Sequence, residues 1–288
     1  MQKSERISIN VQSETGILEA VLLHSPGAEV ENMTPKNTQR ALYSDILNLS
    51  IAKKEYDQLS GVLSKTSKVF YLKDFLAKVL EVNHSKESLI GKICISEGVT
   101  DYFDYLMDMS PKNLAQILIE GLPAKINSLT AYLNDDYYAL LPLYNFYFTR
   151  DSSVAIGNQA LICRMASKVR MRESLIMEAI FKSGRFFDCE IINANDFMAG
   201  DPSIMIEGGD VLVASKDIII VGSGMRTSSQ GIDTLITRLC KTTKADKFHV
   251  IVQQLPDSPE SFIHLDMVFT LLDIDKAMVY EPLILNDN

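Results

Sequence analysis

Residues 207–221 read Glu207-Gly208-Gly209-Asp210-Val211-Leu212-Val213-Ala214-Ser215-Lys216-Asp217-Ile218-Ile219-Ile220-Val221. Two runs rich in Val and Ile flank a polar Ser215-Lys216-Asp217 turn, so the stretch predicts a β-hairpin. A helix is predicted over residues 227–241 and a further strand over His249–Val252. Upstream, the short apolar run Ala160–Cys163 predicts a strand and residues 167–183 a helix. The order strand, strand, helix, strand thus recurs loosely, without a clear sequence repeat. Strands mixed with helices in this way place the chain in the α/β class.

Toward the N-terminus, Ile17–Leu23 is an apolar run bounded by Gly16 and by Ser25-Pro26-Gly27, which predicts a buried strand and a turn. Residues 36–66 carry Leu42, Ile46, Leu49, Tyr56, Leu59 and Leu63 at helical spacing, and Val69–Leu72 predicts another strand. The character changes at about Asp74. Phe75, Leu76, Val79 and Leu80 form one helical stripe. Ser110-Pro111 reads as an N-cap followed by Pro at the first helical position, and Gly121 as the end of that helix. With no convincing strand in it, this stretch is expected to be an all-helical insertion. The expected organisation is residues 1–73 and 139–288 forming the α/β part, with 74–138 as the insertion.

Composition narrows the function classes. The chain has 288 residues and a net charge of −9, which argues against a nucleic-acid or anionic-membrane surface. No apolar run approaches the roughly 20 residues that a membrane helix needs. Residues 1–10 mix Lys3, Glu5 and Arg6 with polar residues and do not read as a signal peptide. Cys94, Cys163, Cys189 and Cys240 are scattered, with no CxxC, so reduced thiols in a cytoplasmic protein are expected. The histidines His24, His84, His249 and His264 lack ligand spacing, so no metal is expected.

Three polar clusters remain: Asn145-Phe146-Tyr147-Phe148-Thr149-Arg150-Asp151, Ile206-Glu207-Gly208-Gly209-Asp210 and His264-Leu265-Asp266. Singly, Asp151 reads as a cap or ion pair, Glu207 as a strand end and His264 as a satisfied core histidine. Arg170, Arg172 and Glu173 read as a solvated helix face. Arg226 follows only a Gly222-Ser223-Gly224 triplet, too little for a phosphate site. If the third cluster is extended, His264 and Asp266 share one face. Together the clusters suggest more. Two carboxylates can grip a planar cation by bidentate hydrogen bonds, and a Glu beside a His can move protons near neutral pH.

In this order the motifs resemble bacterial arginine deiminases of the guanidino-modifying, or pentein, superfamily. The opening Ser13-Glu14-Thr15-Gly16, Val21-Leu22-Leu23-His24-Ser25-Pro26-Gly27 and Glu31-Asn32-Met33-Thr34-Pro35 is similar to that family. So are Phe148-Thr149-Arg150-Asp151, Lys168-Val169-Arg170-Met171-Arg172-Glu173, Glu207-Gly208-Gly209-Asp210, Arg226-Thr227 and His264-Leu265-Asp266. The resemblance implies a pentein-type α/β propeller of pseudo-symmetric ββαβ blades, incomplete here, with an all-helical insertion. It implies hydrolysis of L-arginine to L-citrulline and ammonia through a cysteine thiouronium, with no cofactor.

By the same resemblance, Asp151 and Asp266 bind the guanidinium, His264 is the general acid/base, and Glu207 pairs with the guanidinium and assists proton transfer. Arg170 and Arg226 hold the substrate carboxylate, and Asn145 and Phe148 shape the pocket. The family's nucleophilic cysteine lies in a Gly-rich segment that this sequence does not match. None of the four cysteines stands at that position, so the chain alone is expected to be catalytically incomplete. An open strand edge would then call for a homo-oligomer or a completing C-terminal segment. The alternatives are an amidinotransferase, which shares these residues, and a non-catalytic pseudoenzyme that binds arginine or a partner.

Overall fold

A computed structural model describes residues 6–33, 46–125, 129–133, 137–197, 201, 203–242 and 247–285. Tertiary contacts divide the chain into two compact units, each described by itself. One comprises Leu18–Thr149 and Val169–Ser183, the other Met1–Ile17, Arg150–Lys168 and Gly184–Asn288.

The first unit is mainly helical. Strand β1 (Ala20–Leu23), helix α1 (Leu49–Thr66) and strand β2 (Lys68–Tyr71) follow in chain order. The two strands pair in parallel, Ala20 opposite Lys68. A parallel pair needs a long crossover, which the segment containing α1 supplies. Asn48 starts α1 by accepting the amides of Ser50 and Ile51. The part of the predicted helix at 36–45 lies outside the described residues.

Helices α2 (Leu72–Leu80), α3 (Asn83–Glu97) and α4 (Pro111–Glu120) follow. The predicted stripe Phe75, Leu76, Val79 and Leu80 is buried. Ser110 accepts the Asn113 amide and Pro111 occupies the first turn of α4. Gly121 ends that helix with φ +95°, a conformation that favours glycine. The turn sends the chain into a two-residue strand, β3 (Leu122–Pro123), antiparallel to β4 (Tyr138–Leu140). A short strand therefore interrupts a stretch that the sequence pattern reads as wholly helical.

Helix α5 (Met171–Lys182) packs on α2 and α3. Its charged residues are not solvated: Arg170, Arg172 and Glu173 are 4%, 2% and 1% exposed. Packing on two neighbours removes this helix from water, so its charges must be paired. Arg172 meets Glu97 at 2.8 Å and donates to the Leu141 carbonyl. Lys92 of α3 reaches Glu178 of α5 at 2.7 Å.

The second unit holds both three-stranded sheets. Strands β5 (Ser153–Ile156), β6 (Gln159–Ile162) and β7 (Glu190–Asn193) form one, antiparallel between β5 and β6 and parallel between β6 and β7. Strands β8 (Val211–Ser215), β9 (Ile218–Ser223) and β10 (His249–Gln254) repeat that pattern. In chain order α5 lies between β6 and β7, and α6 (Ser229–Thr242) between β9 and β10. The ββαβ order therefore occurs twice. The predicted hairpin is β8–β9, and Ser215 donates to Asp217 at 2.6 Å within its turn. A further hairpin joins β11 (Phe269–Asp273) to β12 (Lys276–Val279). Leu212, Leu255, Leu265 and Val268 form a core cluster beside it. Among the described residues no helix is long and apolar enough to cross a membrane.

One buried charge in the helical unit gives a direct test of this packing. Lys86 is 7% exposed, and its ammonium donates to the carbonyls of Met107 and Met109 at 2.5 and 2.7 Å. Lys86→Met keeps the aliphatic stem and leaves both carbonyls without their donor. The expected loss is about 1–3 kcal/mol in urea denaturation. An unchanged midpoint would show that these carbonyls do not depend on Lys86.

Candidate active site

Three functional side chains stand at equivalent places in the second unit, each just ahead of an antiparallel strand pair. Asp151 belongs to the single turn Thr149–Ser152 that leads into β5. Glu207 precedes the 3-10 turn Gly208–Asp210 that leads into β8. His264 precedes the 3-10 turn Leu265–Met267 that leads into β11. Their ligating atoms all lie within 4.8 Å of one another, and all three residues are buried.

The pairing inside this cluster is specific. His264 Nε2 lies 2.9 Å from Glu207 Oε2. A hydrogen bond to an ionised Glu207 takes its proton from Nε2. Glu207 Oε1 accepts the Ala166 amide at 2.9 Å, and the Glu207 amide donates to the Thr227 hydroxyl at 3.1 Å. Arg226 Nη1 stands 3.9 Å from Glu207 Oε1. Two carboxylates and an imidazole are also a donor set that a divalent metal could use. Here both Glu207 oxygens face nitrogen partners, the Ala166 amide and the His264 ring, a pairing suited to proton sharing.

The two glycines make the convergence possible. A Cβ on Gly208 would land on the Arg150 carbonyl oxygen. One on Gly209 would come within 2.9 Å of the His264 ring and 3.0 Å of Asp151 Oδ1. A side chain at Gly208 would displace the Arg150 backbone just ahead of Asp151, and one at Gly209 would push His264 and Asp151 away.

Asp266, the fourth acidic or basic residue expected here, is half-buried and lies outside the three-residue cluster. The extended reading of His264-Leu265-Asp266 is corrected: His264 is extended, but the chain coils from Leu265 onward. The Leu265 amide, given to Asp210 Oδ1 at 2.9 Å, fixes that turn. His264 and Asp266 therefore do not alternate as in a strand.

Asn145, Phe148 and Arg170 belong to the helical unit. Arg170 is held edge-on by Glu173, Nε to Oε1 at 3.0 Å and Nη2 to Oε2 at 2.8 Å. Arg170 Nη2 also approaches the Asn145 carbonyl at 3.4 Å, which brings two of the three expected residues together. Phe148 is 49% exposed, with its ring 4.3 Å from that of Tyr147.

Proton affinities follow from burial and charge. Burial pulls the His264 pKa down, but the Glu207 hydrogen bond and the charges of Asp151, Asp210 and Glu207 outweigh it, and the net shift is upward. Burial raises Asp266, partly offset by His264. Burial also pushes Asp210 up to about 7, against the lowering pull of His264, Thr227 and the Leu265 amide. The cluster contains no thiol. Cys94 and Cys163 are buried, and burial raises the Cys94 and Cys189 thiols away from the reactive thiolate.

Sequence reasoning missed four supports: Glu14, Arg150, Asp210 and Thr227. All lie inside motifs that it had singled out, but their partners are remote in sequence. Arg150 clamps Glu14 at 3.1 and 2.6 Å and donates to the carbonyls of Gly208 and Val211.

Asp210 and His264 both bind protons more tightly folded than unfolded. The Asp210 contribution is fully present below about pH 4, shrinks as the unfolded chain ionises, and is gone once pH passes about 7. The His264 contribution, present below its ordinary 6.5, is likewise lost as pH rises through its raised folded value. Asp210→Asn should therefore flatten the fall of stability between pH 4 and 7 in urea titrations. The same slope in variant and parent would contradict the burial of this charge.

Comparison with known proteins bears on the family and the fold. A profile for arginine deiminase matches residues 39–288. The arginine deiminases of Staphylococcus aureus strains JH9 and Mu3 are each 34% identical over 293 residues, covering 96% of this chain and 70% of theirs. Among solved structures, the N-terminal domain of ArgZ bound to product, an arginine dihydrolase from the ornithine-ammonia cycle in Cyanobacteria, is similar with a TM-score of 0.53. It is 15% identical and covers 92% of this chain and 67% of that one. DDAH from Pseudomonas aeruginosa, complexed with citrulline, gives 0.52 at 12% identity, covering 92% and 70%. These two likenesses show the pentein α/β fold. The profile match and the 34% identical relatives, deiminases rather than amidinotransferases, show that this chain belongs to the arginine deiminase family.

Proposed function

We propose that this chain carries the guanidinium-binding and proton-transfer groups for converting L-arginine to L-citrulline and ammonia. The buried Glu207–His264 pair with Asp151 beside it is the observation that carries the reading. Desolvated carboxylates bind a planar cation through charge-assisted hydrogen bonds, and the fixed imidazole supplies a proton at the same place. Asp151 and Asp266 take the guanidinium N–H groups, and Glu207 holds both the cation and the imidazole. Arg170 and Arg226 take the substrate carboxylate, with Asn145 and Phe148 beside its carbon chain.

The chemistry has two halves. A thiolate adds to the guanidinium carbon, and the departing nitrogen leaves as ammonia with a proton from His264. Water then adds to the thiouronium and returns one proton to His264; the carbonyl forms as the carbon–sulfur bond breaks, releasing citrulline and the thiolate, and the second water proton goes to solvent, where ammonia takes it up as ammonium. The upward shift of His264 favours the protonated imidazole that the first half needs. The attacking thiol is none of the four cysteines in these 288 residues. Residues 74–138 act as an inserted module between 1–73 and 139–288. Four cysteines without a disulfide support a reducing, cytoplasmic setting.

Two measurements test the proposal. The 288-residue chain alone should form no citrulline from L-arginine. Turnover sensitive to thiol reagents would overturn the placing of the nucleophile. Asp151→Asn should weaken arginine binding about ten- to hundredfold, the range for a charge-assisted hydrogen bond. Unchanged binding would remove Asp151 from the guanidinium site.

A further inference from the structure

We infer that Asp210 is a positioning residue for His264: its carboxylate grips the backbone of the 265–267 turn and sets the imidazole against Glu207. The inference deepens the proposed function and rests on its reading of His264 as the proton carrier.

Asp210 is fully buried, three residues beyond Glu207 in the turn that enters β8. Its Oδ1 accepts the Leu265 amide at 2.9 Å. Leu265 immediately follows His264, so this bond fixes the peptide that carries the imidazole. The Leu265 side chain is itself 1% exposed and packs with Leu212, Leu255 and Val268. The turn is thus held on one side by apolar packing and on the other by a carboxylate. Gly222 of β9 makes room for that carboxylate, since a Cβ there would stand 2.5 Å from Asp210 Oδ1.

The second oxygen points to more than a tether. Asp210 Oδ2 is buried away from water, and the Thr227 hydroxyl also acts on the carboxylate. Burying a carboxylate costs more free energy than burying a neutral amide. What a carboxylate adds is charge close to the imidazole. Asp151, Asp210 and Glu207 are the ionisable groups that favour protonated His264, and Asp210 has no direct bond to the ring. One oxygen therefore sets geometry, while the carboxylate biases the imidazole's proton where it is ionised, as pH rises through about 7.

Histidine NMR on the whole 288-residue chain separates these roles. It has four histidines, and His264→Gln assigns the resonance of interest. Asp210→Ala should move the His264 midpoint down toward 6.5 and broaden or lose the Nε2–H signal of the pair with Glu207. Asp210→Asn can still accept the Leu265 amide, so it should keep that signal and give an intermediate midpoint. Parent-like values for both in Asp210→Ala would overturn the inference. If that variant does not fold, exchange of the Leu265 amide in the parent decides: slow exchange is expected, and the rate of an exposed loop would refute the grip. Neither readout needs arginine turnover, so failure of the functional reading remains distinguishable.

Discussion

The site depends on two positions that admit no side chain. Gly208 packs its Cα against the Arg150 carbonyl, and Gly209 packs against both Asp151 and the His264 ring. Three chain segments, more than a hundred residues apart end to end, therefore meet over bare backbone. What converges there is unfavourable on its own, because two carboxylates and an imidazole are all buried. Glu207 and His264 are held by named partners: Ala166 and His264 for Glu207, Glu207 for His264. The turn carrying His264 has Asp210.

A second element locks the same region from outside. Arg150 directly precedes Asp151, and its guanidinium closes a two-pronged pair with Glu14. Arg150 also donates to the carbonyls of Gly208 and Val211, while Glu14 accepts the Val213 amide at 2.9 Å. An isolated surface pair would add little. This one is a network of fixed geometry joining the N-terminal segment, the turn before β5 and the entry to β8. Motif residues beside the chemistry thus serve to place it.

Local signals were legible in the sequence where the structure is local. The β8–β9 hairpin, the Ser110–Pro111 start of α4 and the stripe on α2 follow from composition and period alone. The order of the motifs pointed to the family, and Asp151, Glu207 and His264 do converge. What the sequence hid is non-local. Arg170, Arg172 and Glu173 have the composition of a wet helix face and are buried by neighbouring helices. The turn at Leu265 depends on a carboxylate 55 residues upstream, and Arg150 on one 136 residues away. No periodicity records either partner.

The central claim is that buried carboxylates in this chain select a delocalised cation. Calorimetric titration of the 288-residue chain with L-arginine and, separately, with L-citrulline tests it most directly. The two ligands share the amino-acid end and differ at the charged guanidinium, which is a neutral ureido group in citrulline. The account predicts tighter binding of arginine. Equal affinities, or a preference for citrulline, would contradict it.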